Sequence, residues 1–440
     1  MTARRVIALF AVLLAALAPA HASAVKALTA VDGAQVWFAE DHTVPMVALV
    51  ASFPAGSTYD PSAKAGLAAF AASLLDEGAG NLDSPAFQTA LANRAIQLSV
   101  EPGRDCMTVS LSVLSANAKE AFRLLGLALA HPRFDNEAVT RVRIQMLQQI
   151  EQDKGDPEAA AENSFYSFYF GANPYGHPIE GDAHGLATIT VGDLKTFTSS
   201  HWVRGGLKIA LVGDVDPAAA AALLKLAFAA LPAGVPPLPP APVHLGAPGL
   251  HIVALDVPQP TAFFALPGLL RSDPDFLTGY VASTILGGGG FSSRLTQEVR
   301  EKRGLTYDVS TDLVPYRRAG ILLGEVATQT DDMRQTLAAV RDTMHKFAAD
   351  GPTVQELDDA KAYLNGTFPL TFASDAGLAD QLNEFQQMGL RLDYLDKRAD
   401  QVNAISIEDV RRVARRLCDP AKMTVVVAGS LPREEPVSSP

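Results

Sequence analysis

"ATITVGDLKTF", residues 187–197, returns 216 residues later as "NAISIEDVRRV", residues 403–413. At the same offset "IALVGDVDP" (209–217) is answered by "MTVVVAGSLP" (423–432), aligned at Val427, Ala428 and Gly429. Each half therefore closes with a short helix, then a β-branched strand ended by Gly and a turn. Upstream, "LLDEGAGNLDSPAFQTALANRAIQLSV" (74–100) and "ILGGGGFSSRLTQEVREKRGLTYDV" (285–309) repeat one order: helix, Gly-rich turn, helix, strand. Alternating stretches such as "TVSLSVL" (108–114) and "ILLGEVATQ" (321–329) arrive without a helical crossover between every pair, which predicts antiparallel pairing. Helical stretches follow them at 116–130 and 332–348. The fold class is α+β: two duplicated domains, each an antiparallel sheet with helices packed mainly on one face. The Pro-rich stretch "LPAGVPPLPPAPVHLGAPGL" (231–250) separates the halves, stiff enough to hold two bodies apart. The expected organisation is a leader at 1–22, a first domain at 23–231, a linker at 232–249 and a second domain at 250–440.

The chain has 440 residues, 48% of them hydrophobic, which suits globular domains with substantial cores. A net charge of −12 argues against nucleic acid or an anionic membrane as the main partner. "MTARRVIALFAVLLAALAPAHASA" at the N-terminus pairs two arginines with an apolar run and Ala-x-Ala sites ending at Ala22 and Ala24. That is the pattern of a secretory signal peptide. No later stretch has the length of a membrane span, so the expected product is an exported, periplasmic protein without a stable membrane anchor. Only two cysteines occur, Cys106 and Cys418, and neither has a partner at metal or redox spacing. Both are read as unpaired thiols; a bridge between them requires a distance that sequence does not supply.

One helix carries the question of function. In "GLAAFAASLLDEGAG" (66–80), Leu67, Phe70, Ala71 and Leu74 form a core-facing stripe. The neighbouring face holds Ala69, Ala72 and Ser73, where a solvent-facing helix would carry charge. Burial on both sides is one explanation. The longer stretch "FPAGSTYDPSAKAGLAAFAASLLDEG" (53–78), "NPYGHPIEGDAHGLATITVGDL" (173–194) and "LGGGGFSSRLTQEVREKRGLTYDV" (286–309) offer another. Together they resemble the pitrilysin/insulinase-type zinc peptidases, the M16 family.

In that family two histidines four residues apart bind zinc, and a Glu between them acts as general base. Aligned on Gly66, Leu67 and Ala68, those places here are Ala69, Ala72 and Ser73. The family's later ligand Glu falls at Gln148 and Gln149, with Glu151 nearby but off the motif, as a solvated helix residue. Methyl groups, a hydroxyl and neutral amides do not supply a zinc site. None of the nine histidines forms a substitute motif, and His177 and His184 flank a loop that is structural in the family. The resemblance thus implies a metal-free chain whose small helix face is the wall of a vacated site.

The second half keeps more. The family carries an Arg and a Tyr seven residues apart that reach substrate near the scissile bond, and "REKRGLTY" supplies Arg300 and Tyr307. By pattern alone Arg300 is a charged residue on a solvated helix face. Tyr307 alternates with Leu305 and Val309, as a core tyrosine would. The resemblance instead assigns both to substrate and oxyanion binding. Gly288, Gly289 and Gly290 belong to a run that turns one helix into the next, with Ser292 or Ser293 capping, and that lets a peptide approach. No Gly-Lys-Ser/Thr follows, so a phosphate cradle is excluded. "PMVALVASF" (45–53) is either an inner strand or near the substrate-pairing edge. The expected function is the metal-free subunit of a periplasmic heterodimeric peptidase acting on peptides. An HxxEH-bearing partner of the same family would supply the zinc, and this chain no cofactor. The alternative is a non-catalytic binding or assembly module with the same fold.

Overall fold

A computed structural model describes residues 25–236, 238, 245 and 247–431. The leader at 1–22 lies outside the described residues, as do parts of the Pro-rich join.

The first half builds a six-stranded sheet in the order β1-β2-β8-β3-β7-β6. Its strands are β1 (Lys26–Ala27), β2 (Gln35–Glu40), β3 (Met46–Phe53), β6 (Gln97–Pro102), β7 (Met107–Leu114) and β8 (Lys208–Gly213). A small hairpin, β4 (Gly78–Ala79) with β5 (Leu82–Asp83), stands apart. The second half builds a five-stranded sheet in the order β11-β12-β10-β13-β9. These are β9 (Gly249–Val253), β10 (Thr261–Pro267), β11 (Asp308–Pro315), β12 (Gly320–Ala327) and β13 (Thr424–Ala428).

Antiparallel pairing holds except at one place in each sheet, where β2 runs parallel to β8 and β9 parallel to β13. The reason is shared. The last strand of each half inserts between the first two long ones, antiparallel to the second (β3 or β10), and so must run parallel to the first. β3 is an inner strand between β8 and β7, which resolves the reading of residues 45–53.

The repeated stretches fold alike down to their caps. Thr190 and Ser406 open the helices Val191–His201 and Ile407–Leu417, each by a reciprocal capping box with Asp193 or Asp409. Two orphan donors are satisfied at each start, a device worth roughly 1 kcal/mol for the N-cap alone.

Each half packs its own helices on one sheet face, around two large apolar cores. The opposite faces are covered by exchange. In the helices α1 (Leu67–Ser73), α2 (Asn136–Asp153), α3 (Pro157–Phe170), α4 (Phe276–Ser283) and α5 (Asp375–Gln387), the third and fifth cross over. α3, from the first half, sets Phe165, Tyr169 and Phe170 into a cluster with Phe263, Ala265, Val426 and Ala428 of the second sheet. α5, from the second half, lays Ala379, Leu382 and Phe385 into a cluster with Trp37, Ala48, Val50 and Val212 of the first. Two buried amides fix α5 there: Asn383 donates to the Lys208 carbonyl at 2.9 Å and Gln386 to the Gln35 carbonyl at 3.0 Å. The expectation of two bodies held apart by a stiff linker is therefore corrected. Reciprocal helices bind the halves to each other, each buried Leu or Phe contributing about 1.5–3 kcal/mol.

Cys106 and Cys418 are free thiols. Cys418 is buried in the second core, while Cys106 donates to the Gln387 side-chain oxygen at 2.8 Å.

Candidate functional site

The helix that carries the altered motif is anchored at its start. Asp60 is buried, and its two carboxylate oxygens accept the N–H groups of Gly66 (2.7 Å) and Ala68 (2.8 Å). Burial drives this carboxyl up to about 7 even though those N–H donors favour its charged form. Gly66 has φ +94, and a Cβ there would stand 2.5 Å from the Glu180 carbonyl oxygen, so the chain turns into α1 only with glycine.

α1 packs against the helix Val191–His201, against α2 and against β6, the open edge of the first sheet. Arg143 on α2 lies 5.0 Å over the Phe70 ring and donates to the Ile189 carbonyl at 2.7 Å. The small face is not one open wall. Ala69 and Ala72 each keep only 1% of their surface, and Ser73 alone of the three is exposed. An alanine Cβ projects little beyond its helix, so the neighbouring elements close over it. Gln148 and Gln149 are exposed on α2, where Gln149 donates to Asp153 at 2.7 Å. Glu151 pairs with Lys154 at 2.5 Å, an exposed surface contact. The donor set does not fit zinc: it offers no imidazole, no thiolate and no carboxylate at the motif. Among the described residues, no group of three His, Cys, Asp or Glu side chains is placed to hold a metal ion.

The second-half residues sit around β11. Thr284–Gly288 makes a wide π-helical turn against this strand, and Ser283 donates to the Thr311 carbonyl at 3.2 Å. A Cβ on Gly287 would lie 2.6 Å from the Thr311 backbone nitrogen, which explains the first glycine of the run. Gly288 and Gly289 continue the turn, and Gly290, at φ +59, swings the chain outward to Phe291, which is 70% exposed. Of the two candidate caps, Ser293 receives the Thr296 N–H at 3.4 Å and its hydroxyl donates to the Thr296 hydroxyl at 2.9 Å.

Arg300 lies with its guanidinium 4.8 Å over the Phe291 ring and 3.6 Å from Glu301, and it makes no side-chain hydrogen bond among the described residues. Tyr307 is 84% exposed, immediately before β11 begins, and its hydroxyl has no partner among the described residues. The core alternative for Tyr307 is thereby excluded. Its neighbour Thr306 is the buried anchor, with its hydroxyl 2.6 Å from both the Ala327 and the Asp308 carbonyls. Two residues escaped the sequence reading: Phe291 as the ring under Arg300, and Asp60 as the anchor of α1. An exposed aromatic directly after four glycines was the available signal for the first. The spacing from Asp60 to the turn at Gly66 carried none.

An altered metal helix in one half and an exposed Tyr307 seven residues after Arg300 in the other, on a duplicated α+β fold, define a peptidase-like chain whose described residues hold no metal-binding group. Residues 35–183 match the family described as Insulinase (Peptidase family M16), and residues 188–364 match the Peptidase M16 inactive domain. The chain belongs to the M16 peptidase family. It is similar to a solved peptidase M16 inactive domain from Pseudomonas fluorescens, at 32% identity and a TM-score of 0.88, covering 94% of this chain and 99% of that one. The non-peptidase homolog YmxG of Helicobacter pylori is 26% identical over 379 residues, 85% of this chain and 87% of that protein. An uncharacterized zinc protease of Mycobacterium bovis, Mb2805c, is 29% identical over 316 residues, 69% of this chain and 70% of that one.

Proposed function

We propose that this chain is the metal-free subunit of an exported, periplasmic heterodimeric M16 peptidase. It contributes half of a peptide-binding chamber, and Arg300 and Tyr307 as donors to the peptide carbonyl. The observation that carries the reading is the outward Tyr307 hydroxyl, without a partner among the described residues, seven residues after an Arg300 whose guanidinium lies over the Phe291 ring. A tyrosine that packs a core does not leave 84% of its surface in water. Relatives described as inactive or non-peptidase support a chain that does not cleave alone.

Zinc and the general base would come from an HxxEH-bearing partner of the same family. On this chain, Tyr307 donates its O–H and Arg300 an N–H to the carbonyl oxygen as negative charge grows there. The Phe291 ring lies 4.8 Å from the guanidinium carbon, and the terminal guanidinium nitrogens have no hydrogen-bond partner among the described residues.

Co-expression with an HxxEH-bearing relative from the same organism tests this. A one-to-one complex on size exclusion with light scattering is expected, with peptide cleavage well above that of either chain alone. A relative equally active with and without this chain would instead favour the assembly-module reading.

A further inference from the structure

The turn at 103–106, between β6 and β7, and the turn at 316–319, between β11 and β12, occupy equivalent places in the duplicated fold, and they meet. Asp105 grips both halves at once. One of its carboxylate oxygens accepts the Tyr175 hydroxyl at 2.5 Å, and the other accepts the Arg317 backbone N–H at 2.8 Å. The Tyr175 hydroxyl in turn accepts the Arg318 N–H at 3.2 Å, and Arg317 Nη1 donates to the Tyr59 hydroxyl at 3.1 Å. Beside them the hydroxyls of Tyr166, on α3, and Tyr316 lie 2.6 Å apart.

Arg104 holds the first-half turn in one conformation. It is 6% exposed and donates to the His177 carbonyl at 2.7 Å and to the Tyr175 carbonyl at 3.1 Å. Its guanidinium carbon stands 3.4 Å from the centre of the Tyr166 ring. A cation this deeply buried is tolerated only with such acceptors and a ring face around it. The Arg104 carbonyl accepts the Thr58 N–H at 3.0 Å and the Thr58 hydroxyl at 2.8 Å. Two residues after Thr58 comes Asp60, the anchor of α1. The turn at 103–106 is thus joined on one side to the start of α1 and on the other to the sheet that follows Tyr307.

The exchanged helices α3 and α5 hold the halves together chiefly by apolar burial, which has no preferred direction. The bonds of the two turns are directional and fix an angle. That angle matters at a distance. Tyr307 is nine positions before Tyr316, about 30 Å at the rise of a strand. A rotation of the second half by about 4° around the clasp would carry Tyr307 by about 2 Å, and a misplacement of about 1 Å is enough to lower turnover about 10²-fold.

We propose that Asp105 and Arg104 are positioning residues: their clasp sets the angle between the halves, and through it the place of Tyr307 relative to α1 and to a partner that rests on both halves. This rests on the reading of Tyr307 as a donor to the peptide carbonyl and names what holds it in place.

The test begins with the full chain and no partner. Lys119 and Glu408, exposed on helices of opposite halves, are each replaced by p-acetylphenylalanine and spin-labelled at the ketone, and the label separation is measured by double electron–electron resonance. With the clasp intact one narrow distance is expected. Asp105→Asn sets an amide NH2 against a donor and is expected to broaden that distribution at least twofold. Tyr316→Phe, which loses one hydroxyl and keeps its ring, is expected to broaden it less, and it decides the matter if Asp105→Asn does not fold. Distributions unchanged in the variants that fold would overturn the proposal. In the heterodimer, Asp105→Asn is expected to lower kcat per assembled complex about 10²-fold while KM stays within twofold. A merely structural role would reduce the yield of complex and leave its kcat at the wild-type value, which also overturns the proposal. A heterodimer without peptidase activity would reject the reading of Tyr307, while the label distances still decide whether the clasp sets the angle.

Discussion

Zinc at the M16 motif is held by imidazole and carboxylate, and protein zinc sites bind with roughly 10–16 kcal/mol in structural cases. Ala69, Ala72, Ser73, Gln148 and Gln149 put methyl groups, a hydroxyl and amides at those places. The purified chain is therefore expected to hold far less than one zinc per molecule by elemental analysis after dialysis, and to show no chelator-sensitive cleavage. One tightly held zinc per chain would contradict this. Single residues differed in how legible they were. The loss of the ligands could be read directly, because ligation depends on side-chain type. The exposure of Tyr307 could not be read from alternation with Leu305 and Val309, because β11 begins only at Asp308 and the period of two does not hold before it. Arg300 looked like a solvated helix residue, and only the fold shows Phe291 beneath it.

At the scale of elements, α1 and α5 carry separable predictions. Asp60 caps α1 from a buried position with its carboxyl raised to about 7. A carboxyl whose folded value lies above its unfolded one adds stability that is fully present below about pH 4 and lost as pH rises through about 7. Melting temperatures from pH 4.5 to 8 should thus fall through a component that is missing in Asp60→Asn. That variant should also be less stable throughout, by about 1–3 kcal/mol, because its amide NH2 faces a backbone N–H. A wild-type and a variant profile of the same slope would refute the assignment. On α5, Leu382 is fully buried against the first sheet. Leu382→Ala is expected to cost about 2–5 kcal/mol in urea unfolding, and a loss under 1 kcal/mol would mean that the helix exchange does not hold the halves. The sequence reading singled out neither α3 nor α5, and an apolar face would in any case not say which sheet it meets, so their exchange was not legible. The parallel pairs β2–β8 and β9–β13 were hidden likewise, since strand insertion is a property of topology and not of local pattern.

For the whole molecule, the duplication was the legible feature, because two copies of one sequence pattern constrain each other. The exchange of α3 and α5 has a consequence for assembly. Each sheet has its own helices on one face and a helix from the other half on the opposite face, so a partner must meet this chain through helices, loops and strand edges. The protruding Gly290–Phe291 turn and Tyr307 are such features. We propose that Tyr307 acts on a peptide carbonyl at a site completed by another chain. The most direct measurement is the turnover of the assembled heterodimer carrying Tyr307→Phe, alongside its elution as a one-to-one complex. Loss of one hydroxyl from an 84% exposed ring should leave folding and assembly intact while kcat falls by roughly 10²–10³. Wild-type kcat in a Tyr307→Phe heterodimer that assembles normally would contradict it.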